Sequence, residues 1–269
     1  MKPIQFAALA ALSLAACQSV QTTAPGEVGV SRQQTMLVSS GTVNRSAEKA
    51  YRKVIGEAQQ KGQLNRDTAQ VARVRGIAAR LIPQTKGFRA DAPGWNWEVN
   101  VITSKQVNAW VMPGGKIAFY TGLIEQLQTT DDEIAAVMGH EMAHALREHG
   151  RERASQAVAQ GIGLVVVGTA LGMGESAMDL TQLVLDLTFN LPNSRTNETE
   201  ADRIGVEIAA RGGFDPRAAI TLWEKMQKNA KGQPPQFLST HPSHNTRIGD
   251  LRVHTAKVLP LYEAARAKR

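Results

Sequence analysis

The chain has 269 residues, of which 42% are apolar, 20% charged and 5% aromatic, and its formal net charge is +7. This composition excludes a disordered protein, which would be poorer in apolar residues, and a multi-span membrane protein, which would carry fewer charges. The basic residues are scattered rather than clustered, so nucleic-acid binding is not predicted. A single cysteine excludes an internal disulfide, so the fold must be held by its core or by a metal.

The N-terminus is typical of an export signal. Lys2 precedes an almost wholly apolar run over residues 4–16, too short for the roughly 30 Å hydrocarbon core of a bilayer. We therefore predict a signal peptide over residues 1–16. The run ends in Leu-Ala-Ala-Cys, which resembles the bacterial lipobox and predicts lipid attachment at Cys17; the alternative is an ordinary cleavage site with an incidental cysteine.

The residues after the signal predict where the protein goes and how it is organised. Lipoproteins kept at the inner membrane usually carry Asp after the lipidated cysteine, but this chain has Gln18. By that resemblance the protein lies at the periplasmic face of the outer membrane of a Gram-negative bacterium, attached through its lipid anchor. Residues 17–29 are polar and contain Thr, Pro and Gly, which predicts a tether, and residues 30–269 are predicted to form a single domain.

The first half of that domain is predicted to hold two helices and a small sheet. Apolar residues at helical spacing predict helices near residues 46–60 and 66–81, the second stopped by Pro83. Alternating apolar residues over 95–101 predict a strand. Two more strands, residues 109–112 and 116–120, flank the turn sequence Pro-Gly-Gly.

The second half is predicted to be helical. Thr130 and Glu133 have the spacing of a capping box and open a helix that we expect to reach about Gly150. Residues 154–174 carry no charge, but their glutamines and glycines favour a buried or lid helix over a membrane span. Further helices are predicted near residues 197–211, 215–229 and from 244 onward, with a break at Pro260.

The segment His-Glu-Met-Ala-His over residues 140–144 carries the chemical signal. His140 and His144 lie about 40° apart on one helix face, so both imidazoles can reach one ion. Zinc accepts such nitrogens and takes about four ligands. Glu141 flanks the ion without binding it and can take a proton from a water molecule. The alternative is two surface histidines one helical turn apart.

A catalytic zinc site needs a third protein ligand. His149 lies about 180° around the helix from His140 and is expected to point away. The acidic segment Asn-Glu-Thr-Glu-Ala-Asp over residues 197–202 offers carboxylates instead. Glu198 and Asp202 share one helix face, so Glu198 is predicted to bind the ion while Asp202 orients a histidine. Glu200 lies about 200° from Glu198 and is set aside; the alternative is a solvated acidic helix start.

These residues resemble the HtpX and CAAX-prenyl-protease group of zinc metallopeptidases, and more narrowly its periplasmic BepA-like and LoiP-like branch. The resemblance covers about residues 29–252. Besides the His-Glu-x-x-His segment, its markers are Asn108-Ala109, Pro113-Gly114-Gly115, Tyr120-Thr121-Gly122, Ser194 to Glu198, Ala201-Asp202, Thr240-His241-Pro242 and Arg247-Ile248. HtpX and the prenyl proteases have membrane spans, which this chain is expected to replace with a lipid anchor, so their membrane substrates are not transferred.

The resemblance implies an α+β fold: a mostly helical zincin domain with a small sheet, one helix carrying His-Glu-x-x-His and a second carrying Glu-x-x-x-Asp. It implies one Zn²⁺ per chain, bound by His140, His144 and Glu198, with Glu141 as general base. It also implies that Asp202 supports a histidine and that His241 is a gate or fourth ligand, the alternative being a plain loop histidine. The substrate would pair with an edge strand formed by Asn108, Ala109, Trp110, Val111 and Met112. Arg195 would brace the active-site helices or meet a developing oxyanion.

The predicted function is a zinc-dependent endopeptidase that degrades misfolded or misassembled envelope polypeptides. One alternative is a zinc-containing chaperone or binding module for outer-membrane protein assembly, with little or gated proteolysis. A second is a zinc hydrolase that acts on something other than protein, such as cell-wall peptide.

Overall fold

The structure is a computed structural model that describes residues 18–160, 179–229, 235–242 and 246–268. The predicted signal peptide and Cys17 lie outside the described residues. So does most of the uncharged segment 154–174, of which only residues 154–160 are described.

The N-terminal part consists of a two-stranded sheet and two helices. Strand β1 (Gln18–Val20) pairs antiparallel with β2 (Gln34–Met36). Helix α1 (Ser40–Gln60) begins six residues before its predicted start because the Ser39 side chain caps it, and α2 (Thr68–Leu81) is capped by Asp67. Helix α2 ends at Leu81 as predicted, and Pro83 lies in the 3₁₀ helix that follows, Ile82–Gly87.

The segment predicted as a tether packs against the rest of the chain in its described part. Val28 lies in the main hydrophobic core with 3% of its surface exposed. The backbone amide of Ala24 donates to the carbonyl of Phe88, 2.8 Å away. Burial of the apolar Val28 side chain stabilises the packing of this segment against the core. Composition alone did not predict this packing.

The central sheet has three strands in the order β3-β5-β4. Strands β4 (Ala109–Met112) and β5 (Lys116–Tyr120) are antiparallel with the predicted bounds, and the turn between them uses Gly114 and Gly115 at φ of 85° and 81°. Strand β3 (Glu98–Ile102) runs parallel to β5. It starts later than predicted, because the Trp97 indole donates to the carbonyl of Ala92 and lies in the preceding turn.

Helix α4 (Asp131–Leu146) runs through the centre of the molecule. It starts with the predicted capping box between Thr130 and Glu133, and every residue from Glu133 to Leu146 is buried. It ends four residues before the predicted Gly150, because Glu148 adopts a left-handed conformation at φ 50° and a new helix begins at His149.

The remaining helices surround α4. They are α3 (Thr121–Gln126), α5 (His149–Ala159), α6 (Thr181–Phe189), α7 (Arg195–Arg211), α8 (Ala218–Asn229), α9 (Gln236–Thr240) and α10 (Arg247–Arg266). The predicted break at Pro260 is wrong, since α10 continues through it. Pro260 and Ala256 are both exposed, so water can satisfy the carbonyl that loses its helical partner.

Helices α4 and α7 touch through their backbones. A Cβ atom added at Gly139 would lie 2.6 Å from the carbonyl oxygen of Gly205, and one added at Gly205 would lie 2.7 Å from the amide nitrogen of His140. Only residues without a side chain permit this approach, so the two glycines set the distance between the helices.

The predicted fold class is confirmed: the described residues form a mostly helical domain with small sheets, and the histidine segment lies on α4. Within them, no helix combines the length and the hydrophobicity needed to cross a bilayer.

We expect Gly205→Ala to destabilise the fold by about 1–3 kcal/mol, because the added methyl group overpacks the backbone contact. The matched control is Gly76→Ala on α2, where an added Cβ meets nothing within 4 Å. There the better helix propensity of Ala should leave stability unchanged or raise it by up to about 1 kcal/mol. Chemical denaturation of both variants measures the difference, and equal shifts would show that the helix crossing tolerates a side chain.

Candidate metal centre

His140 and His144 stand one turn apart on α4 and are both buried. Their Nε2 atoms lie 3.1 Å apart. Glu198, near the start of α7, places one carboxylate oxygen 3.5 Å from His140 Nε2 and the other 3.3 Å from His144 Nε2. The structure thus brings together the three residues that the sequence predicted as ligands.

His241 completes the group. Its Nδ1 lies 3.0 Å from a Glu198 oxygen and 3.2 Å from His140 Nε2. Each of the four side chains offers one ligand atom, and these atoms all lie within 4.8 Å of one another. The His241 ring also stacks on Phe237, with centroids 4.3 Å apart, which holds the imidazole against the group.

The spacing of these atoms fits a zinc ion. Ligands bound to one tetrahedral zinc at about 2.0–2.1 Å stand about 3.3 Å from each other. In addition, Glu198 Oε2 is buried and accepts no hydrogen bond of normal geometry, although Arg247 lies 2.9 Å from it. An unsatisfied buried carboxylate oxygen is costly unless a cation binds it.

The buried charges also indicate a metal ion. Glu141, Glu198 and Asp202 bring three carboxylates into the centre, and in the part of the chain that the structure describes the arginine in contact with them is Arg247. With neutral imidazoles this leaves an excess of two negative charges on buried side chains, which is expensive. A divalent cation would restore neutrality.

Asp202 supports His140. Its Oδ1 lies 3.0 Å from His140 Nδ1, so the imidazole can donate there and keep Nε2 free for a metal. Burial lowers the pKa of His140, but the carboxylates of Glu198 and Asp202 outweigh burial and raise that pKa to about 9. A bound metal would reverse this balance, since a ligating imidazole must be deprotonated.

Arg247 braces the two acidic residues of α7. It is 1% exposed, and its Nη1 and Nε lie 2.9 Å and 2.7 Å from Glu198 Oε2 and Asp202 Oδ2. Burial raises the pKa of Glu198, but the positive field of His241 and Arg247 holds it well below its usual value. The resemblance implied a bracing role for Arg195, which instead lies exposed on the surface.

Glu141 faces a cavity of about 360 Å³ that it shares with His144 and His241. Its Oε1 is buried and has no hydrogen-bond partner. Burial raises the pKa of Glu141, and a hydrogen bond from the backbone of Val111 acts against that rise. The contact with Val111 places strand β4 beside this carboxylate.

His149 does not point away, and the prediction that it would is wrong. Because α4 ends at Leu146 and the chain reverses at Glu148, His149 Nδ1 comes within 2.8 Å of His144 Nδ1. On its other side His149 Nε2 lies 3.1 Å from Glu200, the carboxylate that the sequence reasoning had set aside. The signal that could have found this is the end of the apolar run at Leu146.

Comparisons with known proteins agree with this geometry. The sequence profile of peptidase family M48 matches residues 68–255. The chain is 35% identical to the bovine mitochondrial metalloendopeptidase OMA1 over 202 residues, which is 70% of this chain and 38% of that protein. It is 38% identical to OMA1 of Schizosaccharomyces pombe over 154 residues, 56% of this chain and 44% of the relative.

A bacterial relative matches as well. The beta-barrel assembly-enhancing protease of Escherichia coli is 33% identical over 172 residues, 60% of this chain and 35% of the relative. The chain therefore spans less than half the length of each of these three relatives. The matches support the family, but not the narrower resemblance to HtpX, the prenyl proteases or the LoiP-like proteins.

The relatives contradict the predicted location. OMA1 proteins from S. pombe and Arabidopsis thaliana, at 38% and 40% identity, are named mitochondrial, whereas the E. coli protease matches at 33%. The prediction of a lipid-anchored protein at the periplasmic face of an outer membrane is wrong: it rested on the lipobox at Cys17 and on Gln18, whereas the relatives with the higher identities are mitochondrial.

One assignment follows from the histidine segment, the carboxylate on a second helix and the profile match. The chain belongs to peptidase family M48, which confirms the predicted class of zinc metallopeptidase and zinc as its cofactor.

Proposed function

We propose that the protein is a zinc-dependent endopeptidase that cleaves misfolded or misassembled polypeptides. The observation that carries the proposal is the convergence of His140, His144 and Glu198 beside Glu141, whose buried Oε1 has no hydrogen-bond partner. The names of the relatives support it, since they describe metalloendopeptidases and an assembly-enhancing protease.

His140, His144 and Glu198 would hold the metal. When bound, zinc supplies a Lewis acid that polarises a carbonyl and lowers the pKa of water to about 7. Asp202 and Arg247 keep the ligands in place, because Asp202 contacts His140 and Arg247 contacts both carboxylates.

Glu141 would be the general base. Its burial raises its pKa, which makes the carboxylate a better proton acceptor than a solvated one. It takes a proton from the attacking water and passes it to the nitrogen of the departing amine. A structural zinc site would not need such a group, and this favours a peptidase over a chaperone or binding module.

Strand β4 would hold the substrate. It pairs with β5 on one edge, and among the described strands none pairs with its other edge. An extended peptide can add to such an edge through main-chain hydrogen bonds, which are largely indifferent to side chains. The strand formed by Asn108 to Met112 would therefore bind unfolded polypeptides of differing sequence.

His241 would gate the site. Because its Nδ1 already lies among the three ligands, it can occupy the position that water or a substrate carbonyl needs.

We expect Glu141→Gln to retain zinc and fold but to lose peptidase activity by at least about 100-fold, the scale of a general base. Cleavage of a denatured protein and bound zinc are measured on the same samples. Glu125→Gln is the control, since it removes the same charge from an exposed position on α3. Undiminished cleavage by the Glu141 variant would contradict the assigned role. Prevention of substrate aggregation at the wild-type level, with no cleavage by either protein, would instead favour the chaperone.

Removal of zinc should destabilise the wild type, because the ion joins α4 to α7. A chelator is therefore expected to lower the Tm of the wild type but not that of Glu198→Ala, which has lost a ligand already. The control Glu224→Gln, at a half-exposed carboxylate on α8, should respond to the chelator as the wild type does. If the chelator lowered the Tm of Glu198→Ala as much, Glu198 would not be a ligand.

His241→Ala should raise kcat/KM several-fold, because it vacates the fourth position while three ligands retain the zinc. Steady-state cleavage of an unfolded protein tests this together with zinc content. An unchanged rate would mean that His241 is a plain loop residue.

A further inference from the structure

Among the residues that the structure describes, no carboxylate is hydrogen-bonded to the Nδ1 atom of His144. His140 has Asp202 at its Nδ1, and this is the arrangement that usually fixes a metal-ligating imidazole. The partner of His144 Nδ1 is another imidazole nitrogen, His149 Nδ1, at 2.8 Å. Two imidazole nitrogens at this distance share one proton, so one donates and the other accepts.

The contact of the other ring nitrogen of His149, Nε2, determines which imidazole carries that proton. His149 Nε2 faces Glu200 Oε2 at 3.1 Å, and Glu200 is held as an anion by Arg147 at 3.0 Å and by Arg32 at 2.7 Å. An ionised carboxylate only accepts hydrogen bonds, so His149 Nε2 carries a proton and donates. The neutral ring of His149 then has Nδ1 as its acceptor.

The chain of hydrogen bonds therefore has one direction. His144 Nδ1 carries the shared proton and donates it to His149 Nδ1, which leaves His144 Nε2 with a free lone pair. That atom is the one that lies 3.1 Å from His140 Nε2 and 3.3 Å from Glu198. It is the atom that a metal ion would bind.

The arrangement is buried, with His144 and His149 both at the wall of the 360 Å³ cavity. His149 is 1% exposed and Arg147 is fully buried. The rings of His144 and His149 meet edge to face, with centroids 4.9 Å apart and planes at 72°. Because a buried polar atom that loses its hydrogen-bond partner is costly, the orientation of His144 depends on His149.

We propose that His149 is a positioning residue for zinc. By linking His144 to the ionised Glu200 through two hydrogen bonds, His149 fixes the tautomer and the ring orientation of His144. We call this link from His144 through His149 to Glu200 the relay. The inference deepens the proposed function, on which it rests, by assigning the support of the second histidine ligand. His149 touches neither the ion nor the substrate in this assignment.

The first test compares zinc dissociation constants, measured by competition with a chromophoric chelator. His149→Phe keeps a ring but removes both hydrogen bonds, and we expect zinc to bind about 10–100-fold more weakly. His149→Asn places an amide oxygen near the position of Nδ1 and should recover most of the affinity. His254→Phe is the matched control, since His254 lies on α10 and its Nδ1 bonds the carbonyl of Asp250.

These variants separate positioning from packing. A purely structural role would make Phe the better replacement, because it keeps the volume and the aromatic contact that Asn loses. Zinc affinity of His149→Phe within twofold of the wild type, or weaker affinity for Asn than for Phe, would overturn the proposal.

The second test needs no variant. Two-bond nitrogen–proton NMR correlations of the zinc-loaded wild type report which ring nitrogen of each histidine carries a proton. We expect a proton on His144 Nδ1, a proton on His149 Nε2 and none on His149 Nδ1. A proton on His149 Nδ1 would overturn the proposal.

Failure of the relay and failure of the proposed function differ in outcome. A wild type that binds no zinc contradicts the metallopeptidase proposal itself. A wild type that binds zinc tightly and cleaves its substrate, while His149→Phe binds zinc as tightly, contradicts the relay alone.

Discussion

The metal centre depends on the backbone contact between α4 and α7. Glu198 reaches the two imidazoles of α4 only because Gly139 and Gly205 let the helices approach until a Cβ atom would clash with the opposite main chain. A Glu side chain has a fixed reach, so a wider separation would withdraw its carboxylate from the ring nitrogens. The convergence of ligands is thus set by two residues that carry no functional group, and a larger side chain at the crossing acts on metal binding through the helix distance.

Burial makes this site sensitive to charge. Glu198 and Asp202 are 0% and 5% exposed, and such carboxylates are tolerated only when they are paired. Arg247 contacts both, and its guanidinium lies 3.5 Å from the centroid of the Trp223 ring, which fixes it further. One arginine from the C-terminal helix therefore holds the acidic face of α7 together, while the remaining negative charge favours a divalent cation.

Local patterns predicted much of this structure, because they report interactions between near neighbours. The capping box at Thr130, the strands on either side of Gly114 and Gly115, and the four-residue spacing of Glu198 and Asp202 all involve residues close in sequence. The role of His149 could not be predicted in this way. A helical wheel assumes that the helix continues as far as His149, but the left-handed backbone of Glu148 interrupts it. Arg247 was noted only as a marker of the resemblance, and its contacts with Glu198 and Asp202 were not predicted because these partners lie 45 or more positions away.

Helix α7 serves both histidine ligands, but from opposite faces. Asp202 lies on the face that meets α4 and contacts His140 directly, whereas Glu200 lies on the other face and reaches His144 through His149. The second route exists because the chain reverses at Glu148, which brings His149 beside Glu200. Glu200 is in turn held by Arg32, which precedes the residues 68–255 that match the family profile. The support of the metal centre therefore extends to a residue that lies N-terminal to the part of the chain matched by the family profile.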